Sequence, residues 1–335
     1  MAGPSRQAGL TLVELLVALT LGLLVVLAAT AALTVARRGF TTVDAASQLR
    51  DTTRFTVDII NRIVVQGGFE DLTYAVSTRK REDGTSVNPP PSIYGFNNAL
   101  ASATDPLGLV GTPTPGSGYN NSDVLIVRYQ AGETYTGSGV TDGSMIDCQG
   151  ATVTVPPVNR DDRMASVFHV ALSNGEPSLM CTTTSGSTVT AAVPVVQGVE
   201  DFQVLYGVDG VVANTAPAST LPKPTKTDRW LRADQFAVPG DAVGTNANWR
   251  RVTSIRVGMV LRAATYTAQD SSDQMLYPFG VAPASNGGKG LFLGIAADQG
   301  TILSMPSTVN EGRLRQTVTF TVFLRKSQDL SNPVQ

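Results

Sequence analysis

The sequence predicts an α+β fold in which one long N-terminal α-helix, with a membrane-spanning first half, packs against an antiparallel β-sheet head with long loops. Three observations predict it. Residues 10–36 form an apolar run, no proline occurs between Pro4 and Pro89, and short segments of alternating apolar and polar residues follow residue 68. About 20 apolar residues suffice for a helix to cross the hydrocarbon core, and alternation is typical of half-buried strands.

The apolar run carries a single charged residue, Glu14. A carboxylate inside the hydrocarbon core is costly, so a plain membrane anchor has no reason to contain one. A secretory signal peptide does not fit either, because its apolar region spans only about 7–15 residues and ends at the cleavage site. An uncleaved signal anchor with a stray acidic residue is the alternative.

The segment Gly9-Leu10-Thr11-Leu12-Val13-Glu14 resembles the class III signal of type IV prepilins and pseudopilins. Leu10 departs from that pattern, where phenylalanine is usual. The resemblance implies that a membrane prepilin peptidase cuts after Gly9 and methylates the new N-terminus of Leu10. It also implies that the apolar helix is kept and that Glu14 guides the subunit into a growing filament.

Physical chemistry supports a role for Glu14 in subunit assembly. Cleavage would leave a positively charged amine on Leu10 among apolar helices. A carboxylate suits the positive end of the helix dipole. It could also pair with the amine of a neighbouring subunit, because a buried charge is tolerated only when it is compensated.

The helix is predicted to continue beyond the membrane as far as Gln66. Apolar residues and threonines recur on one face at steps of three and four, as expected of a helix that packs on a globular head. They are Leu49, Thr52, Thr56, Ile59, Ile60 and Ile63. The Gly67-Gly68 pair then ends the helix.

The chain beyond the helix is predicted to be β-rich. Residues 73–119 read as a long loop, and residues 213–248 read as a long insertion. The strand-like runs are Asp123–Tyr129, Ala151–Val155, Ser166–Leu172, Thr188–Val196, Phe202–Val208, Val252–Leu261 and Gln316–Leu324. The predicted organisation is a leader at 1–9, a transmembrane or filament-core helix at 10–36, its amphipathic continuation at 37–68 and a periplasmic head at 69–335.

Composition excludes several functions. The 335 residues carry a formal net charge of −2, so nothing indicates a nucleic-acid binder. The two short basic clusters, Arg37-Arg38 and Arg79-Lys80-Arg81, are interpreted as solvated. The polar regions of the chain are rich in Thr, Ser, Gly, Val and Asn and poor in Lys and Glu. Such a composition is typical of an extracytoplasmic β-rich protein.

The two cysteines, Cys148 and Cys181, are expected to form a disulfide if the head is exported, because the periplasm is oxidising. Two unrelated free thiols are the alternative. Zinc is not expected, since these cysteines and the single histidine, His169, match no standard ligand spacing. No cofactor is predicted.

Later segments resemble the PilW-type minor pilins of type IV pili. One is the helix end that includes Arg54-Phe55 and Gln66-Gly67-Gly68-Phe69. The others are Asp147-Cys148-Gln149-Gly150, the segment Gly198–Asp209 and the segment Trp249–Arg262.

The segment Gly198–Asp209 is interpreted structurally. Its apolar side chains are assigned to the core, and Glu200 and Asp201 to the surface. A calcium site using Glu200, Asp201 or Asp209 would need several oxygen ligands in one loop. The spacing does not provide them, so no metal site is predicted.

The resemblance implies a non-catalytic minor pilin that takes part in type IV pilus assembly, within a priming or tip complex. Its partners would be the prepilin peptidase, other minor pilins, the major pilin, a tip adhesin and the inner membrane. It would be a single-pass inner-membrane protein with a periplasmic head, and afterwards part of the pilus near its tip. A J-type pseudopilin of a type II secretion system is the alternative within the superfamily.

A membrane-tethered periplasmic enzyme is the alternative from another class. It would need a catalytic constellation, and the sequence has no Gly-x-Ser-x-Gly elbow and no His-Glu-x-x-His motif. The carboxylates Asp270 and Asp273 could serve acid–base chemistry. We interpret them as turn residues.

Overall fold

One long helix dominates the N-terminal part of the computed structural model, which describes residues 11–71, 91–157, 162–186, 188–268, 270–280 and 302–325. The leader with Gly9 and Leu10, and the basic cluster at 79–81, lie outside the described residues. Helix α1 spans Leu12–Gln66. Its 55 residues correspond to about 80 Å at 1.5 Å per residue. It ends at Gly67-Gly68, where Gly68 has a φ of +77° that favours glycine.

The C-terminal half of α1 packs against the head. The side chains that it buries are Ala45, Leu49, Thr53, Thr56, Ile60, Ile63 and Val64. The predicted face is therefore correct except that Thr53 replaces Thr52, and Ile59 is only half-buried. Burial of threonine is tolerated because the Thr53 and Thr56 hydroxyls donate to the carbonyls of Leu49 and Thr52, at 2.7 and 2.6 Å.

The head contains two main antiparallel sheets that share one core with the helix. The first has the strand order β1-β2-β3-β4-β5, with β6 also paired to β4. Its strands are β1 (Ile93–Phe96), β2 (Val124–Tyr129), β3 (Met164–Ser173), β4 (Glu176–Ser185), β5 (Thr188–Val189) and β6 (Val193–Gln197).

The second sheet has the order β12-β9-β7-β8. Its strands are β7 (Val199–Val208), β8 (Arg229–Leu231), β9 (Val252–Arg262) and β12 (Arg315–Phe323). One face packs on α1 and the first sheet. Strands β10 (Gln274–Leu276) and β11 (Leu303–Met305) pair in a separate two-stranded antiparallel sheet. The predicted fold class, a long helix packed on an antiparallel β-rich head, is confirmed.

Three details differ from the expectation. Residues 151–155 form no strand and contribute only an isolated bridge between Ile146 and Thr152. The predicted loop contains β1, and β4 was not predicted. The sequence of β4 does not alternate between apolar and polar residues, because both faces of this strand are buried. The two-residue turn Asn174-Gly175, with positive φ at both positions, is the hairpin signal that identifies it.

The predicted insertion at 213–248 is an ordered part of the core. It contributes β8, a 3₁₀ turn at Ala233–Phe236 and helix α2 (Ala242–Trp249). The rings of Phe236 and Trp249 stack at 3.9 Å, and Tyr206 of β7 meets Trp249 edge-on at 4.8 Å. Such aromatic pairs stabilise the fold by more than the burial of their apolar area alone.

Candidate functional site

The start of α1 is organised by a reciprocal capping box. Thr11 is the N-cap, and its hydroxyl accepts the backbone N–H of Glu14 at 3.3 Å. In return, the backbone N–H and the hydroxyl of Thr11 both donate to Oε2 of Glu14, at 3.0 Å each. Two otherwise unpaired helix donors are satisfied in this way.

Both bonds from Thr11 reach the same carboxylate oxygen. Within the described residues, no hydrogen bond reaches Oε1 of Glu14, so this atom can accept a donor from another molecule. The side chain therefore combines a local cap with an available anionic oxygen. The capping box was not anticipated from the sequence, although its signature, a threonine followed three residues later by a glutamate, is visible there.

The helix beyond Glu14 presents apolar side chains to its surroundings. Its large apolar residues between Leu12 and Leu33 are each more than half exposed. Length and composition allow this helix to cross a membrane. An exposed apolar surface of this size marks a membrane or protein contact. Arg37 and Arg38, which follow the apolar run, are both exposed.

The other end of α1 is attached to the head through Gln66. Its side-chain amide donates to the carbonyl of Ile146 at 3.1 Å and accepts the Ile146 N–H at 3.0 Å. Two residues further on, Cys148 forms a disulfide with Cys181 of β4, with the Cα atoms 5.9 Å apart. The Gln66 hydrogen bonds thus join the end of α1 to the loop at Ile146, and the disulfide joins that loop to β4.

Glu200 is buried, not exposed as expected. Its side chain is 1% exposed and pairs with Arg315, also 1% exposed, at 2.6 Å and with Arg262 at 3.0 Å. Arg262 also binds Glu176 at the start of β4, at 2.9 Å. The assignment to the surface was wrong because the two arginines come from strands far away in the chain, β9 and β12.

Asp201 is fully buried as well, which corrects its assignment to the surface. Its Oδ1 accepts the Gln203 side-chain amide at 2.8 Å, and its Oδ2 is buried without a described hydrogen-bond partner. Burial raises the pKa of Asp201 to about 7.

The residues considered for calcium do not converge. Asp209 is a turn residue whose carboxylate accepts the N–H groups of Thr225 and Lys226. Backbone hydrogen bonding from Thr225 lowers the pKa of Asp209. Among the described residues, no group of three or more His, Cys, Asp or Glu side chains could hold a metal ion.

The other titratable candidates have separate local roles. His169 of β3 is 4% exposed, and burial lowers its pKa to about 4. Asp270 accepts the Ser272 hydroxyl at 2.9 Å, whereas Asp273 accepts the Ser307 N–H at 2.6 Å. The two aspartates thus stabilise different turns.

Comparison with known proteins gives two family models that match parts of this chain. The family model for the type IV pilus-assembly protein W matches residues 167–326, and that for the prokaryotic N-terminal methylation motif matches residues 4–30. No curated protein matches the chain. A solved type IV-like pilin from Thermus thermophilus is 12% identical over 82% of this chain and 95% of its own, with a TM-score of 0.36.

A prepilin leader, a long apolar helix and a β-rich head define a type IV pilin-like protein, anchored in a membrane by that helix. Within this class, the match to the PilW model over residues 167–326 supports a protein of the PilW type, with a type IV pilin-like role in pilus assembly. The prepilin leader implies processing by a prepilin peptidase and pilus-related partners.

Proposed function

We propose that this protein is a non-catalytic minor pilin that acts in a priming or tip complex of the type IV pilus. Before assembly it is a single-pass protein of the inner membrane with its head, residues 69–335, in the periplasm. The observation that carries the proposal is the combination of the methylation motif with the PilW match across both head sheets.

The proposed processing site is the bond between Gly9 and Leu10, and Leu10 is the methylated residue. In the assembled pilus, Glu14 pairs with the amine of a neighbouring subunit. Its position in the first turn of α1 and its available Oε1 support this role. The proposed partners are the peptidase, the major pilin, other minor pilins and a tip adhesin.

Processing is tested by replacing Gly9 with valine. The bulkier residue next to the cut should leave full-length precursor in the inner membrane and remove the protein from pili. Mass spectrometry of the N-terminus provides the measurement. Gly3→Val, within the same leader, is the matched control and should be processed normally.

An intact Met1 in protein recovered from assembled pili would contradict the proposed processing. Deleting the gene decides between the two kinds of filament. Loss of surface pili supports the minor pilin. Normal piliation with loss of type II secretion would instead identify a J-type pseudopilin.

A further inference from the structure

The head contacts α1 close to the end of the apolar run. The Thr42 hydroxyl donates to the carbonyl of Thr267 at 2.9 Å. Thr42 precedes Ala45, the first of the side chains that α1 buries, so this contact lies at the membrane-proximal end of the head. Ala36, the last residue of the apolar run, is six residues earlier, which corresponds to about 9 Å along the helix. The loop that contains Thr267 therefore lies close to the end of the membrane-spanning segment.

This contact belongs to two loops that hydrogen-bond to each other and are called the base loops below. Residues 263–268 follow β9, and residues 309–314 precede β12. The Tyr266 N–H donates to the Glu311 carbonyl at 3.2 Å. Further bonds of 2.8–3.0 Å join Ala263 to Leu314, Ala268 to Gly312 and Leu314 to Thr267. The base loops therefore hold each other in a defined conformation.

Tyr266 combines an unusual backbone conformation with high exposure. Its φ is +61°, which is uncommon for a bulky residue, and the residue is 84% exposed. Backbone strain persists only where the surrounding structure imposes it, and it is concentrated at functional positions. Burial of this ring contributes little to the stability of the head. The base loops thus hold the Tyr266 ring where a second surface can contact it.

Two more apolar side chains in or next to the base loops are more than half exposed. Val309 begins the second base loop, and Met275 lies in β10. β10 is attached to the base loops, because the Gln274 side-chain amide donates to the Arg313 carbonyl at 3.3 Å. Clustered exposed apolar side chains mark a contact surface. The apolar surface at this end of the head is therefore larger than a single ring.

Phe40 adds an exposed aromatic side chain on α1 at nearly the same level. It precedes Thr42 by two residues, so it lies about 3 Å closer to the apolar run and about 200° around the helix. Phe40 is therefore on the side of α1 that faces away from the head, whereas Tyr266 belongs to the head. Aromatic residues with a polar tip, tyrosine above all, are enriched where a protein meets the headgroup layer of a membrane.

The charged side chains at this end of the head nearly balance. Arg37 and Arg38 follow the apolar run and are exposed, whereas Arg313 pairs with Glu311 at 2.6 Å. The acidic residues nearby are Asp44 on α1 and Asp270 and Asp273 before β10. A surface with so little net charge suits zwitterionic lipid headgroups, because attraction to an anionic membrane needs clustered cations.

We propose that the base loops rest on the bilayer beside α1 and that Tyr266 inserts its ring among zwitterionic lipid headgroups. The partner follows from α1 itself, because the helix that crosses the membrane also carries the base loops. The headgroup layer extends about 5–8 Å beyond the hydrocarbon core, which fills most of the distance between Ala36 and Thr42. This contact fixes the tilt of the head before assembly. It requires only that α1 spans the bilayer and is independent of the place of the protein in the pilus.

The test uses the full-length protein in phosphatidylcholine nanodiscs. Tyr266→Trp places a fluorophore in the base loops, and its emission is compared between ordinary lipids and lipids brominated on the upper part of the acyl chain. Because bromine quenches only at close range, a tryptophan in the headgroup layer should lose about half of its emission. The native protein, with Trp230 and Trp249, supplies the background that is subtracted.

Tyr135→Trp is the matched control, because Tyr135 is also exposed, at 70%, but lies at the other end of the head. Its loop is attached to the chain just beyond α1, since the Glu133 N–H donates to the Asp71 carboxylate at 2.9 Å. Gln66, where α1 ends, is 24 residues beyond Thr42, or about 36 Å along the helix. Brominated lipid should leave this second tryptophan unquenched, whereas soluble acrylamide should quench it more strongly than the tryptophan in the base loops.

A second measurement keeps the native side chain. Nuclear Overhauser contacts between isotope-labelled tyrosine rings and lipid headgroup protons should be observed for Tyr266 and not for Tyr135. Tyr266→Asn identifies the signal, because asparagine accepts a positive φ and removes the ring. Equal denaturant midpoints of the variants and the native protein show that the head is intact.

Four results would overturn the proposal. Brominated lipid would quench the two introduced tryptophans equally, or acrylamide would reach both equally. The labelled Tyr266 ring would show no lipid contact. Quenching would depend on the number of protein copies in each nanodisc, which would show a contact between two subunits. None of these results would affect processing after Gly9 or pairing by Glu14, because both residues lie at the opposite end of the membrane-spanning segment.

Discussion

At the scale of single residues, Glu14 caps α1 with one carboxylate oxygen and is proposed to pair with a neighbouring subunit through the other. Oε2 caps the helix through Thr11, and Oε1 has no bond within the described residues. Helix capping needs only an acceptor, whereas pairing with a neighbouring amine needs negative charge. The two tasks can therefore be separated by substitution.

Glu14→Gln should preserve the helix cap but reduce incorporation into pili, because the amide still accepts hydrogen bonds and has lost the charge. Quantitative immunoblotting of sheared pili against the membrane fraction measures the ratio. Thr11→Ala is the complementary variant, since it removes the hydroxyl from the cap and keeps the carboxylate. Full incorporation of the glutamine variant would rule out the proposed charge pairing.

Asp201 and His169 give the head opposing pH dependences. The pKa of Asp201 is raised to about 7, so the folded state holds this proton more tightly than the unfolded chain and loses stability as the pH rises from about 4 to 7. The pKa of His169 is lowered to about 4, so its contribution is lost as the pH falls from about 6.5 to 4.

Asp201→Asn should therefore remove one of two opposing pH dependences that nearly cancel between pH 4 and 6.5 in the native protein. The variant should become more stable from pH 4.5 to 6.5, since the contribution of His169 is no longer offset by Asp201, and should exceed the native protein at pH 7.5 by up to about 4 kcal/mol. Denaturant unfolding followed by tryptophan fluorescence measures this. Similar stability of the two proteins at pH 4 is the internal control, and parallel pH curves would contradict the assignment.

At the scale of elements, Glu200 connects strands that the chain order separates. β7 supplies Glu200, β9 supplies Arg262 and β12 supplies Arg315, and Glu176 extends the network to β4 of the other sheet. Removing one member of a buried pair leaves an uncompensated charge, which is far more costly than losing an exposed pair.

Glu200→Gln should lower the free energy of unfolding by about 3–5 kcal/mol, because Arg315 stays buried without its counter-charge. Glu176→Gln is the matched control. Its side chain is 34% exposed, so its loss should cost about 1 kcal/mol or less. Equal effects of the two substitutions in chemical denaturation would show that Arg315 is compensated elsewhere.

The disulfide is the other link between elements, since it joins the loop after Ile146 to β4. Replacing both cysteines with serine should lower the free energy of unfolding by about 2–5 kcal/mol, the usual range for such a crosslink. Leader cleavage should not change, because α1 separates the cleavage site from the head. Two reactive thiols in denatured, unreduced protein taken from the cell envelope would show that the bridge does not form there.

At the scale of the whole molecule, the elements with a clear period were predictable from the sequence. The helix was expected from Leu10 to Gln66 and spans Leu12–Gln66, and β9 was expected one residue short of its observed end. Periodicity reports the one face that the C-terminal half of the helix buries, whereas β9 is buried along most of its length and was identified as a strand by its apolar and β-branched residues.

The buried polar residues could not be predicted in the same way. Glu200 is 62 residues from Arg262 and 115 from Arg315 in the chain, so only the strand register brings them together. Charged residues are rarely buried unless paired, which is why Glu200 and Asp201 were wrongly assigned to the surface. Strand β4 lacks alternation because both of its faces are covered.

The disulfide also affects how the molecule resists tension. Gln66 anchors the C-terminal end of α1 to Ile146, two residues before Cys148. From there the covalent bridge leads directly to Cys181 in β4. The two cysteines are 33 residues apart in the chain, which corresponds to about 110 Å when fully extended. The disulfide prevents this segment from extending. Under force the head yields less length, because the segment between the cysteines, which contains β3, cannot be pulled out as extended chain.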